Sequence, residues 1–386
     1  EPVKGRGSFL ARLGKGPRKM LLLSHLDVVP AAGNWDFDPF SGEITEDMVL
    51  GRGALDCKGL TSAQAWAVLQ LAREGAQLNG QLIMVAAADE EMGGTLGIKY
   101  LAENFPRKLQ ADFAVNEGAD LPVILNGRKL FFIQVGEKGL AWSKLKASGK
   151  SGHGAIPALG DNAVIHAARA VSALGDYRAE VKLIPEVQQL LQQLSAIKGL
   201  GETVTEQNVD RLLDRLQLAD SFMETVRAMT RLTVSPNLIR GGNKTNIVPD
   251  QCEVELVIRI LPGQDEEYVR RELRRYAGDN LEIETMEYSP PTFSTSESDF
   301  YRLMESVTSE IVGPEVICLP QISSGSTDSK FLRRIGIPAY GVGHMAGNYD
   351  PSIRTTVHGL NERIDLASLH VQSRFFYRLA RKYLQA

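Results

Sequence analysis

The chain has 386 residues, 43% of them hydrophobic, which is enough for a well-packed core and for more than one domain. Its 43 basic and 47 acidic residues leave a formal charge of −4, and no dense Lys/Arg run occurs, so the footprint of a nucleic-acid binder is excluded. No apolar run approaches a membrane span, and three scattered cysteines, Cys57, Cys252 and Cys318, exclude a disulfide framework or a thiolate-rich zinc site. Few cysteines favour a reducing compartment, and a cytoplasmic location is the expectation. The chain opens on EPVKGRGSF, with no initiator Met and no signal or transit pattern, so a preceding segment, and any targeting signal in it, is expected to be missing.

Taken in chain order, the elements end in unusual places. MLLLSHLDVVP is apolar from Met20 to Leu23 and then delivers His25 and Asp27, two residues apart and on one side of an extended chain. In GRGALDCKGLTSAQAWAVLQLAREG, Asp56 and Lys58 precede a helix predicted from about Leu60 to Arg73. LIMVAAADEEMGG runs seven apolar residues, the mark of a strand buried on both faces, straight into Asp89, Glu90 and Glu91. Three adjacent carboxylates repel one another, and partial burial raises the cost, so the cluster either faces water or faces something cationic. ADFAVNEGAD repeats the arrangement, with Phe113 to Val115 leading to Glu117. In an open α/β sheet the carboxyl ends of the strands are where ligands bind.

From about Gly139 the pattern changes. AWSKLKASG alternates as a strand, a helix is predicted over Asn162 to Leu174, and TRLTVSPNLIRGG, QCEVELVIRILPG, the helix DEEYVRRELRRYAG and LEIETMEY follow. Two β-α-β halves of this kind predict a small antiparallel sheet with helices on one face, inserted into the first domain. The expected boundaries are 1–138 and 289–386 for the first domain and 139–288 for the insertion, with extra helices at about 183–228. Near the other end, RTTVHGLNERI puts His358 in a loop before a long terminal helix.

His25, Asp56, Glu90, Glu91, Glu117 and His358 together are two histidines and four carboxylates, a set suited to zinc, cobalt or manganese, and carboxylates can bridge two ions. Paired cations would also relieve the repulsion at Asp89 to Glu91. The ordered motifs SHLDVVP, GRGALDCKG, ADEEMGG, NEG, SGHGAIP and TTVHGLNERI resemble the di-zinc amidohydrolases and exopeptidases that include carboxypeptidase S, aminoacylase, glutamate carboxypeptidase and succinyl-diaminopimelate desuccinylase. The resemblance covers nearly the whole chain and is nearest to the carboxypeptidase S-like branch. It implies an α/β zinc-exopeptidase-like catalytic domain with a mixed, mostly parallel sheet, and an inserted α+β ferredoxin-like lid through which such proteins dimerise.

The resemblance also assigns roles. It implies two Zn2+, with Co2+ or Mn2+ as alternatives: Asp56 bridges, His25 and Glu117 complete one site, and Glu91 and His358 the other. Glu90 becomes the general base for water attacking an amide carbonyl, Asp27 the carboxylate that fixes the His25 tautomer, and His153 of KSGHGAIP a donor to the tetrahedral oxygen. Asn246 and Arg259 would bind that oxygen and a free substrate carboxylate, and Gly325, Ser326 and Thr327 of SSGSTDSK would line the pocket. The implied activity is hydrolysis of an amide next to a free carboxylate, in a small peptide or an N-acyl amino acid. Deacylation of an N-acyl diamino acid is the alternative, and a non-catalytic relative acting in binding is the alternative from another class.

Plainer readings stand beside these. His153 could cap the following helix and Arg259 could pair with a nearby acid. His166, His344 and His370 read as structural or surface residues. Cys57 replaces the acidic residue many relatives carry after the bridging Asp; the resemblance implies a cis peptide there and no catalytic role. ASGKSGHG lacks the upstream glycine of a P-loop, GRGALD lacks the third glycine of a dinucleotide fingerprint, and no G-x-S-x-G elbow occurs.

Overall fold

The computed structural model describes residues 1–385, which form two compact units: residues 1–136, 189–202 and 293–385, and residues 137–188 with 203–292. The boundaries differ from the expected insertion over 139–288 chiefly at 189–202. Much of the helix Pro185–Ile197 groups with the first unit, where the Asn126 amide donates to Ile197 O at 2.9 Å.

The first unit is built on a mixed sheet. Its centre is parallel, in the order Gly80–Ala87, Arg18–His25, Phe113–Asn116 and Ala339–Val342; Phe9–Gly14 joins one side antiparallel and Arg128–Glu137 the other. Side chains alternate across a strand, and both faces here are covered. Met20, Leu22, Leu82, Phe113 and Val115 pack on one side with Leu60, Ala63, Ala67 and Leu71 of the helix Gly59–Arg73 and with Phe375, Phe376 and Leu379 of the terminal helix Leu366–Gln385. Leu21, Leu23, Ile83, Val85 and Ala114 pack on the other with Ile98, Ala102, Phe331 and Leu332. Two-sided burial explains why these strands read as continuous apolar runs. It also means that the first polar residues after each run emerge together, at the carboxyl edge of neighbouring parallel strands.

The second unit, taken by itself, is a four-stranded antiparallel sheet in the order Thr233–Gly241, Gln251–Ile260, Gly139–Ser148 and Leu281–Ser289. With the helices Ala163–Gly175 and Glu266–Ala277 the chain order is β-α-β-β-α-β. Ala141, Leu145, Ala147, Val254, Leu256 and Ile258 meet Ala163, Ala167, Ala170, Val269 and Leu273, so one sheet face carries the core. Both helices start on a side-chain cap: Asn162 accepts from Val164 N and Asp265 from Tyr268 N. On the opposite face Lys144 and Lys146 pair with Glu253 and Glu284 across strands. No described helix is long and apolar enough to cross a membrane.

Candidate metal centre

His25 ends its strand buried, Glu117 follows the strand Phe113–Asn116, and Asp89 to Glu91 follow Gly80–Ala87. Three neighbouring parallel strands thus deliver ligating groups to one edge. Asp56 comes from the segment before the helix Gly59–Arg73; its peptide to Cys57 is cis, as the resemblance implies.

The Asp56 carboxylate divides itself between two histidines. Oδ1 lies 3.1 Å from His25 Nε2 and Oδ2 lies 3.1 Å from His358 Nε2, which in turn sits 3.1 Å from Glu91 Oε2. The ligand atoms of Asp56, Glu91 and His358 all fall within 4.8 Å of one another, as do those of His25, Asp56 and Cys57. Glu117 is close enough to act electrostatically on His25 and lines, with Asp56, a cavity of about 290 Å³ whose apolar wall includes Leu55, Leu60, Leu121, Val342 and Val357.

Electrostatics follow from this crowding. Burial opposes ionisation of Asp56, yet the hydrogen bonds from His25 and His358 outweigh it and hold the carboxyl well below its usual range. Burial also opposes charge on His25, but the hydrogen bond to Asp56, aided by Cys57 and Glu117, raises it. His358 is raised to about 9 by its hydrogen bond to Asp56, against burial. Glu90 is pushed up to about 7, chiefly by burial; His25 pulls it down, while Glu91 and Asp56 push it further up. Negative charge thus accumulates around two imidazoles, and hard oxygen and imidazole donors come from five segments: His25, Asp56, Glu91, Glu117 and His358. That donor chemistry fits divalent cations. Cys57 fits less well: burial pushes its thiol up to about 11, and its sulfur is engaged by the backbone of His25, accepting from N at 3.3 Å.

The three adjacent acids find different partners. Asp89, with a left-handed φ of 71°, pairs with Arg6 at 3.2 Å and accepts from Leu96 N at 3.0 Å; Glu91 turns to His358. Glu90 has neither contact. Gly94, at φ 72°, is needed beside them, since a Cβ there would lie 2.2 Å from Asp328 Oδ1. Asp328 is itself buried, with a carboxyl held well above its ordinary value by burial and by Glu90.

Asp27 departs from expectation in detail. The His25 tautomer is fixed by the Asp27 backbone carbonyl, 2.9 Å from Nδ1, whereas the carboxylate Oδ1 is 3.7 Å away. That carboxylate instead accepts from Glu90 N at 3.1 Å and Glu91 N at 3.0 Å, holding the turn that carries both acids. Of the loop Gly325, Ser326 and Thr327, Thr327 is buried, and a Cβ on Gly118, next to Glu117, would lie 2.9 Å from its methyl.

His153, Asn246 and Arg259 belong to the second unit. His153 and Asn246 are brought together there: Gly152–His153 pairs with Ile247–Val248, and Gly154 N donates to Asn246 O at 2.8 Å. His153 is exposed, and its Nδ1 accepts from Ala155 N at 3.1 Å. Arg259 is half-buried on the sheet face away from the helices, its guanidinium under the influence of Glu137 and Glu287. Sequence reading missed Glu362 and Arg52, a buried ion pair at 2.5 Å; the only signal was an acid four positions after His358.

Among known proteins, "Probable carboxypeptidase S-like 2" of Dictyostelium discoideum is 26% identical over 387 residues, covering 96% of this chain and 73% of the relative. The human N-fatty-acyl-amino acid synthase/hydrolase PM20D1 is 28% identical over 378 residues, covering 93% and 73%. A crystal structure of the M20 family metallo-carboxypeptidase Sso-CP2 from Sulfolobus solfataricus shares the fold, with a TM-score of 0.71 at 23% identity over 98% of this chain and 88% of that one. Residues 21–382 match the description of peptidase family M20/M25/M40, and the chain belongs to that family.

Proposed function

We propose that this chain hydrolyses an amide bond adjacent to a free carboxylate, in small peptides or N-acyl amino acids with uncharged side chains, using two divalent cations, zinc first among them. Family membership makes it a metal-dependent hydrolase of peptide or N-acyl-amino-acid bonds. The observation that carries the finer reading is the Asp56 carboxylate, each oxygen of which faces a histidine from a different segment at 3.1 Å. His25, Asp56 and Glu117 would hold one cation, and Asp56, Glu91 and His358 the other.

Cations in such a set supply Lewis acidity, acidifying water and polarising an amide carbonyl. The chain's own residues do the rest. Glu90, the acid of the three that neither Arg6 nor His358 engages, takes a proton from the attacking water and returns it to the leaving amine. Asp27 holds the turn that aims it, through the two backbone N–H groups. Leu55, Leu60, Leu121 and Val342 offer an apolar surface beside Asp56 and Glu117, which suits uncharged substrate groups. In this reading His153 and Asn246 serve the developing oxyanion, Arg259 the substrate carboxylate, Gly325, Ser326 and Thr327 the pocket wall, and the second unit is a lid that pairs two copies of the chain.

The test is elemental analysis of the purified protein together with hydrolysis of a panel of N-acyl amino acids and dipeptides, with and without chelator. About two zinc per chain and chelator-sensitive release of a free amino acid are expected. Absence of metal, and of activity after zinc or cobalt is restored, would move the chain to a fold retained for binding.

A further inference from the structure

The loop that delivers His358 carries a second carboxylate four positions on, which neither the cation set nor the proton transfer uses. Glu362 is fully buried. Its Oε1 accepts from Leu55 N and Asp56 N, each at 2.9 Å, and its Oε2 accepts from Gly53 N at 2.9 Å and from the Arg52 guanidinium at 2.5 Å. Arg52 also donates to Gly359 O at 2.8 Å and lies over the Trp35 ring, 5.0 Å from its centroid.

The reason for this concentration is backbone accounting. Asp56 and Cys57 have non-helical angles, φ −120° and −133°, so the segment ahead of the helix Gly59–Arg73 lacks a regular ladder. Buried N–H groups must still be satisfied, and one carboxylate takes three of them within four residues. The last of the three belongs to Asp56 itself. Because Glu362 shares a loop with His358, one side chain ties the segment carrying the shared carboxylate to the segment carrying one of its partners.

We infer that Glu362, with Arg52 as its counter-ion, is a positioning residue that sets the aim of the Asp56 carboxylate and joins the Asp56 and His358 segments into one body. This inference rests on the cation assignment proposed above. A displacement of Asp56 N moves both 3.1 Å spacings at once, so loss of the clamp weakens the whole set rather than one site. Residues that orient metal ligands in this way are worth roughly 10- to 100-fold in metal affinity.

The experiment uses Co2+ as probe on the parent chain, on Glu362→Gln, and on the double variant Arg52→Met/Glu362→Gln, which leaves no unpaired buried cation if the single variant fails to fold. Affinity is read by competition with a chromophoric chelator, geometry by the visible spectrum of the cobalt-loaded protein, and folding by melting of the metal-free form. Expected are two Co2+ in the parent, affinity weaker by roughly 10- to 100-fold in the folded variants, a shifted cobalt spectrum, and kcat reduced more than KM is raised. If the parent binds two Co2+ and a folded variant binds them with the same affinity and spectrum, Glu362 is structural only and the inference fails. If the parent binds no Co2+, the cation assignment itself fails.

Discussion

Replacing Asp27 by Asn separates two roles that one residue holds. The carboxylate accepts from Glu90 N at 3.1 Å and Glu91 N at 3.0 Å, while the His25 ring is held by the Asp27 carbonyl at 2.9 Å, a backbone group that the substitution leaves in place. An Asn side chain offers one oxygen, and its NH2 group would face the other backbone N–H, so one charge-assisted hydrogen bond is lost and the surviving N–H donates to a neutral amide oxygen. A hydrogen bond to a charged group contributes about 1.5–3 kcal/mol. If that loss falls on the positioning of Glu90 in the transition state, kcat drops by roughly 10- to 150-fold at 1.36 kcal/mol per decade. Metal affinity, governed by the ligand rings, changes less. The assay is steady-state kinetics on the best substrate of the panel, with chelator competition and amide exchange at Glu90 and Glu91. A kcat within twofold of the parent refutes the turn-holding role. Metal affinity falling while exchange at the turn is unchanged would show that the carboxylate, not the carbonyl, orients His25.

Glu90→Gln keeps the volume but cannot carry a proton, so kcat is expected to fall by roughly 10²- to 10⁴-fold with metal content unchanged by elemental analysis. His344 predicts an acid-labile fold. Thr308 Oγ1 donates to Met304 O at 2.8 Å and therefore accepts from His344 Nε2 at 2.7 Å, which leaves Nδ1 bare, buried and without a partner. Burial lowers this imidazole to about 3. The unfolded chain binds its proton near pH 6.5 and the native chain does not, so the native advantage is complete above 6.5 and is lost as pH falls toward 3, by up to roughly 5 kcal/mol. Urea midpoints from pH 7 to pH 4 should decline more steeply in the parent than in His344→Gln, and parallel curves would refute this. Lys138→Met removes donors to Ala228 O, Arg231 O and Thr233 Oγ1, at 2.9, 2.7 and 3.1 Å, and is expected to destabilise the second unit by about 2–4 kcal/mol in denaturant unfolding.

Much of the centre was legible because burial makes polarity conspicuous. His25, Glu117 and the acids after Gly80–Ala87 stand out because each ends an apolar run, and the sheet then sets those runs side by side. Asp56 was legible as the acid just ahead of an amphipathic helix. Three things were not. The clamp at Glu362 works on backbone N–H groups more than 300 residues away in sequence, and no side-chain pattern marks which N–H groups lack a ladder. The division of labour within Asp27 turns on which oxygen lies at 2.9 Å and which at 3.7 Å from one ring nitrogen. And the Leu/Gln pattern of Pro185–Ile197 predicts an amphipathic helix equally well whichever unit receives its apolar face.

The acids of the first unit therefore fall into two working groups with one physical rule between them. His25 reaches the sheet edge as the last residue of its strand, but Asp56 and the turn with Glu90 and Glu91 sit on irregular backbone, which leaves N–H groups to be satisfied. In each case a carboxylate outside the ligand set takes them: Asp27 for Glu90 and Glu91, Asp89 for Leu96, and Glu362 for Gly53, Leu55 and Asp56. Charge-assisted bonds of this kind are shorter and stronger than neutral ones, so they narrow the spread of loop positions more than a neutral cap would. The run Asp89, Glu90, Glu91, which looks self-repelling in the sequence, is held by the same rule: its first member clamps and pairs with Arg6, its last faces His358, and the middle one, which neither engages, is the residue proposed above for proton transfer.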